Sequence, residues 1–179
     1  MKKKITALLI TATMALSLVG CGRNYDGKYT ADVDLTELWI DVMNESHTGN
    51  KNYKCDYNGS VIVPYELEIS DGEYTITVDK KEAEEILREF TKENSGYWKV
   101  GGYQSEIAYV NDIMQRSYLY PFNIDESGDI KTSGDKITLK DFCGDGVTLT
   151  FDNGELKGDW APEVFEMVFE LDFKPEVEQ

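Results

Sequence analysis

The sequence predicts an α+β protein that is mainly antiparallel β: a meander of about eight strands curled into a barrel or half-barrel, with two or three amphipathic helices inserted. Three observations carry this. From residue 128 to residue 173, runs of alternating apolar and polar residues are separated by short turns rich in Gly, Asp and Asn; such strands pack one face and solvate the other. One phrase occurs twice, "DGKYTADVDLTE" at 26–37 and "DGEYTITVDKKE" at 71–82, and each copy passes from strand period to helical period. A length of 179 residues suits one domain with a proper core rather than two.

In each copy of the phrase Asp-Gly has turn chemistry, because glycine accepts positive φ and aspartate bonds its own backbone. Tyr29, Ala31 and Val33 then share one strand face, as do Tyr74, Ile76 and Val78. Asp34 with Glu37, and Asp79 with Glu82, stand at the spacing of an N-cap and the third helical residue. Behind them Leu35, Leu38, Trp39, Val42 and Met43, and Ala83, Ile86, Leu87 and Phe90, fall at helical spacing. Every repeated residue has a structural task, which outweighs a reading of Asp34 and Asp79 as paired carboxylates of a metal or glycosidase site. Between the copies, Val61, Val63, Tyr65, Leu67 and Ile69 alternate, with Pro64 marking an edge or bulge. This run folds onto the next as a hairpin about Asp71-Gly72. Ile107, Val110, Met114 and Tyr118 predict the stripe of a third helix. The remaining strands are "GDIKT", "KITLKDF", "VTLTF" and "ELKGDW", joined at Ser133-Gly134-Asp135, Gly144-Asp145-Gly146 and Asp152-Asn153-Gly154. The last run, "VFEMVFELDF", sets Phe165, Met167, Phe169, Leu171 and Phe173 on one core-facing side.

Residues 1–20 follow a different logic. Three lysines precede an apolar run from Ile5 to Leu18 and then small residues, the layout of a cleavable secretory signal. The run is about 14 residues, roughly 21 Å as a helix, too short for a hydrocarbon core of about 30 Å. Leu18-Val19-Gly20-Cys21 resembles the lipobox of bacterial lipoproteins. The resemblance implies cleavage after Gly20, a diacylglycerol on Cys21 and a protein held on the extracytoplasmic face of the cell membrane, palmitate being the kind of chain involved. Residues 21–24 are then the lipidated cysteine and a tether reaching about 10 to 14 Å, 25–175 one β-rich domain, and 176–179 a tail. So short a tether favours a ligand or partner near the membrane. The chain carries a formal charge of −16, and losing Lys2, Lys3 and Lys4 makes the balance more negative still. Such a surface repels nucleic acid and anionic headgroups and excludes nucleic-acid binding; cations, basic peptides and neutral ligands remain welcome.

Gly27-Lys28-Tyr29 stands where lipocalin-like barrels, the calycin group, carry Gly-x-Trp on their first strand. The following meander is similar in kind, and the resemblance implies a ligand held inside the barrel or at its mouth. Residues 97–122 concentrate aromatic rings: Tyr97, Trp98, Tyr103, Tyr109, Tyr118, Tyr120 and Phe122. These either close one barrel end or, around Gly101-Gly102, present rings to a ligand, as sugar and peptide binders do. The candidate ligand-binding residues are Tyr97, Trp98, Tyr103 and Tyr120. His47 lies in a polar stretch with no nucleophile placed beside it, and "DESGDIKTSGD" lacks the ligand spacing of a calcium loop. No catalytic residue, metal ligand or cofactor is expected. With Cys21 lipidated, Cys55 and Cys143 are a candidate disulfide that would close a loop of about 88 residues for roughly 4 kcal/mol; two separate thiols explain the sequence equally well. The expected function is therefore a non-enzymatic binding module for a small ligand, glycan or peptide. The alternatives are an interaction subunit docking an envelope protein and a hydrolase built on carboxylates.

Overall fold

The computed structural model describes residues 23–48, 57–94, 102–115 and 117–176. Cys21, Cys55, Tyr97 and Trp98 lie outside them. Eight strands close into an antiparallel barrel in which each pairs with its sequence neighbours and the last returns to the first. They are β1 (Gly27–Asp34), β2 (Ile62–Ser70), β3 (Glu73–Thr77), β4 (Asp125–Ser133), β5 (Lys136–Leu139), β6 (Val147–Asp152), β7 (Glu155–Trp160) and β8 (Phe169–Pro175). Among the described residues three helices, α1 (Thr36–Thr48), α2 (Lys80–Glu93) and α3 (Glu106–Ile113), are inserted after β1 and β3, and a 3₁₀ segment (Ser117–Phe122) precedes β4.

The alternation expected of the strands sets the core. Tyr29, Ala31 and Val33, Val63, Tyr65, Leu67 and Ile69, and Tyr74 and Ile76 are all buried, while the residues between them on β1 and β2 are mainly exposed. Pro64 sits opposite Asp32 of β1, beyond the point where β3 ends opposite Glu66. β2 overhangs its neighbour there, so no ladder needs the N–H that proline lacks. Gly128 of β4 faces Tyr74, where a Cβ would come within 3.0 Å of that ring. The β1–β8 seam is the shortest ladder, registered at Tyr29–Pro175 and Thr30–Lys174 and prolonged by a bond from the Glu176 N–H to the Lys28 carbonyl.

The two ends of the barrel differ. One carries the tight turns. Asp71 and Gly72 have φ of 54° and 86°, as do Asn153 and Gly154 at 51° and 93°, the double positive φ that suits a two-residue hairpin. The other end carries every long connection: α1, the α2–α3 stretch, residues 140–146 and residues 161–168.

Four expectations are corrected. The first Asp-Gly makes no turn, because among the described residues no strand precedes it; Gly27 simply begins β1. The third helix ends at Ile113, and it buries Tyr109, Val110 and Ile113 while Ile107 is exposed. The strand expected to run through "KITLKDF" stops at Leu139, and Phe142 lies in a 3₁₀ turn. The last strand starts at Phe169, since its β7 partner ends at Trp160 and leaves 161–168 with nothing to pair against.

Candidate functional site

A groove of about 760 Å³ lies at the helix end, between α1 and the β7–β8 connection. Its volume is in the range of ligand sites. One wall is α1. The Asp34 carboxylate accepts the Thr36 N–H at 2.9 Å, and the Thr36 hydroxyl accepts the Val61 N–H at 2.8 Å, so the helix start is fixed both to β1 and to the segment leading into β2. Leu35, Trp39 and Met43 turn fully inward. Leu38 and Val42, at the border of that buried face, contribute apolar floor, and Glu37, Asp41 and Glu45 form the rim above them.

The opposite wall is Val164, Phe165, Glu166 and Met167. Pro162 interrupts strand formation there, and its carbonyl accepts the Phe165 N–H at 3.0 Å in a turn. Phe165 packs on Phe169 and Tyr120, with ring centroids 6.1 and 5.7 Å apart. Val164 is 68% exposed and Val168 62%.

Among the described residues the rim has no compensating charge, since the groove lining contains no Lys, Arg or His. The ion pairs of the barrel and of α2 join Lys28 to Glu68, Arg88 to Glu84, Lys140 to Asp129 and Lys157 to Glu155 and Asp172. Among the described residues none of Glu37, Asp41, Glu45 and Glu166 has an ion-pair partner. Glu37 benefits from the positive helix start, but like charges four residues apart on a helix cost about 0.2 to 0.5 kcal/mol per pair. The benefit at Glu37 and the repulsion along the row are of similar size, so the row adds little net stability to α1.

Behind the Phe165 wall is a second, inward-facing polar cluster. Glu126 of β4 sits opposite the buried Ile76, hence on the interior face, and its Oε2 accepts the Cys143 N–H at 2.8 Å. Cys143 holds a φ of 51°, and its free thiol is pushed far up by burial and by the Glu126 carboxylate beside it. The Tyr65 hydroxyl donates to the Pro121 carbonyl at 2.7 Å and the Tyr74 hydroxyl to the Lys140 carbonyl at 2.8 Å. Burial raises Tyr65, and raises Tyr74 and Tyr120 to about 12. The Tyr120 hydroxyl and Trp160 Nε1 are buried with no hydrogen-bond partner among the described residues, their rings 5.9 Å apart. Every proton here is held tightly, and a thiol kept neutral is a poor nucleophile.

The structure separates the two candidate tyrosines that it describes. Tyr120 packs between Trp160 and Phe165, directly behind the groove. Tyr103 instead donates to the Asp112 carboxylate at 2.7 Å and stands edge-on to Tyr109, which in turn meets Trp39; it braces α3. The groove residues themselves escaped sequence reasoning. The row at 37, 41 and 45 was the available signal, since acidic residues one helical turn apart border the apolar stripe. Among the described residues no group of three or more His, Cys, Asp and Glu side chains is arranged to hold a metal ion, and no helix is long and apolar enough to cross a membrane. Compared with protein-family models, characterised proteins and solved structures, the chain matches none.

Proposed function

We propose that this chain is an extracytoplasmic lipoprotein, anchored through Cys21, that works as a non-enzymatic binding module with the groove beside α1 as its ligand seat. The observation that carries the reading is the groove's composition: an apolar floor of Leu38, Val42, Phe165 and Met167 under four carboxylates that no cation among the described residues offsets. Its ligand is then apolar in body and positively charged at its edge. The barrel topology agrees with a lipocalin-like relationship, but Tyr65, Tyr74, Phe142, Trp160 and Phe173 fill the interior with fully or nearly fully buried side chains. A ligand is better accommodated outside the mouth than within.

Anchoring through Cys21 would also orient the domain. The Arg23 guanidinium lies 5.6 Å over the Phe151 ring and donates to the Phe151 carbonyl at 3.4 Å, and the Tyr25 hydroxyl donates to the Gly134 carbonyl at 2.7 Å. The chain thus enters at the tight-turn end. A lipidated Cys21 would set that end on the bilayer and leave the groove facing away by about the length of a strand, about 26 Å for eight residues.

Calorimetric titration with benzyltrimethylammonium, with neutral benzyl alcohol as control, tests the seat. The cation should bind saturably at one site, the alcohol more weakly, and Val164→Lys should weaken the cation about tenfold. Equal binding of the two probes, or a Val164→Lys protein that binds as well as wild type, would defeat the reading.

A further inference from the structure

The spacing of the rim goes further than its charge. Resting on the ligand seat proposed above, we infer that the groove's natural occupant is a basic amphipathic helix presented by a partner protein. Glu37, Asp41 and Glu45 recur at every fourth residue of α1, so their carboxylates step along the groove by about 6 Å and span about 12 Å. A small organic cation meets one of them. A helix laid alongside, with lysine or arginine at positions i, i+4 and i+8, repeats with the same step and meets all three. Its apolar face then lies on Leu38, Val42, Phe165 and Met167, in the manner of helix-in-groove recognition.

The opposite wall supports the same occupant. Glu166 supplies a carboxylate across the groove, and Val164, on the same wall and largely exposed, offers apolar surface to an elongated ligand. The overall charge of −16 steers a basic segment towards the protein and turns away anionic lipid and nucleic acid. What sets this row apart from the other carboxylates of an acidic surface is its place: Glu37, Asp41 and Glu45 border an apolar floor in a groove wide enough to take a helix's side chains.

Fluorescence anisotropy on the purified full-length protein in non-ionic detergent would test the inference with two labelled 15-residue peptides. One carries leucines along one face and lysines at i, i+4 and i+8; the other has the same composition reordered so that its lysines do not align when helical. The aligned peptide should bind at least tenfold more tightly, with affinity falling as salt rises. The triple variant Glu37→Gln, Asp41→Asn, Glu45→Gln should lose tenfold or more for the aligned peptide while melting no lower than wild type. Equal binding of the two peptides, or no loss in the triple variant, overturns the helical occupant. If benzyltrimethylammonium still binds in that case, the ligand seat stands and only the helix is wrong; if neither peptide nor cation binds, both readings fall.

Discussion

Tyr74 shows how one side chain ties three parts of the barrel together. It projects inward from β3, its ring fills the space that Gly128 leaves on β4, and its hydroxyl reaches the Lys140 carbonyl beyond β5. Gly128→Val should cost about 1 to 3 kcal/mol in urea unfolding, because neither the ring nor the Lys140 carbonyl, 3.2 Å from the added Cβ, has room to retreat. Tyr74→Phe should cost about 1 kcal/mol, the net worth of one buried hydrogen bond. Combined, the two should cost less than their sum, since they disturb one contact. The same neighbourhood sets a limit at high pH. Cys143, Tyr65, Tyr74 and Tyr120 all hold their protons above the ordinary 9.0 of a thiol and 10.0 of a phenol. Below about pH 8 they are protonated in folded and unfolded chains alike and give stability no slope. Above it the unfolded chain releases protons that the folded chain keeps, so stability falls as pH rises. Thermal unfolding across pH 7 to 11 should show that fall, with a shallower slope in Tyr120→Phe. A flat profile would mean that these groups ionise in the folded protein as freely as in the unfolded one.

Among the elements, the two copies of the repeated phrase separate what local sequence decides from what its surroundings decide. In the second copy all of it is realised: Asp71-Gly72 turns the hairpin, and Asp79 caps α2 by accepting from the Lys81 and Glu82 N–H groups at 2.8 and 3.3 Å. In the first copy the turn is absent and Asp34 accepts only from Thr36. Gly72→Val should therefore cost about 1 to 3 kcal/mol through strain at a φ of 86°. Asp79→Ala should cost about 1 kcal/mol, and Asp34→Ala less, as read from denaturant midpoints. Strands were legible because period-two alternation bounded by Asp-Gly and Asn-Gly turns is a local signal. The β7–β8 connection was not, since Phe165, Met167 and Phe169 alternate as a strand does, and only the end of β7 at Trp160 decides that pairing begins at Phe169. The groove was hidden for a related reason. Its walls, at 37–45 and 164–167, lie far apart in sequence and meet only because β1 and β7 both deliver their connections to one end of the barrel. Tyr120, by contrast, was named from ring density alone, and it packs against Phe165 of the groove wall.

For the whole molecule, the proposed anchor makes the simplest prediction. Among the described residues no helix is long and apolar enough to hold a bilayer, so Cys21→Ala should move the protein from the membrane pellet to the soluble fraction on cell fractionation. A variant retained firmly in the pellet would mean that residues 5–18 remain as an anchor. The seam between β1 and β8 carries a consequence of a different kind, in the order of events as the chain is made. Of the eight barrel strands, the first to emerge from the ribosome, and the first to cross a membrane if the chain is exported, is the one whose second neighbour arrives last, since Tyr29 and Thr30 register with Pro175 and Lys174. Nearly the whole described chain must be delivered before the circle can shut, and until then β1 keeps one row of backbone groups unpaired, open to any passing strand. Translocation speed, rather than final stability, then sets how long that first strand stands exposed.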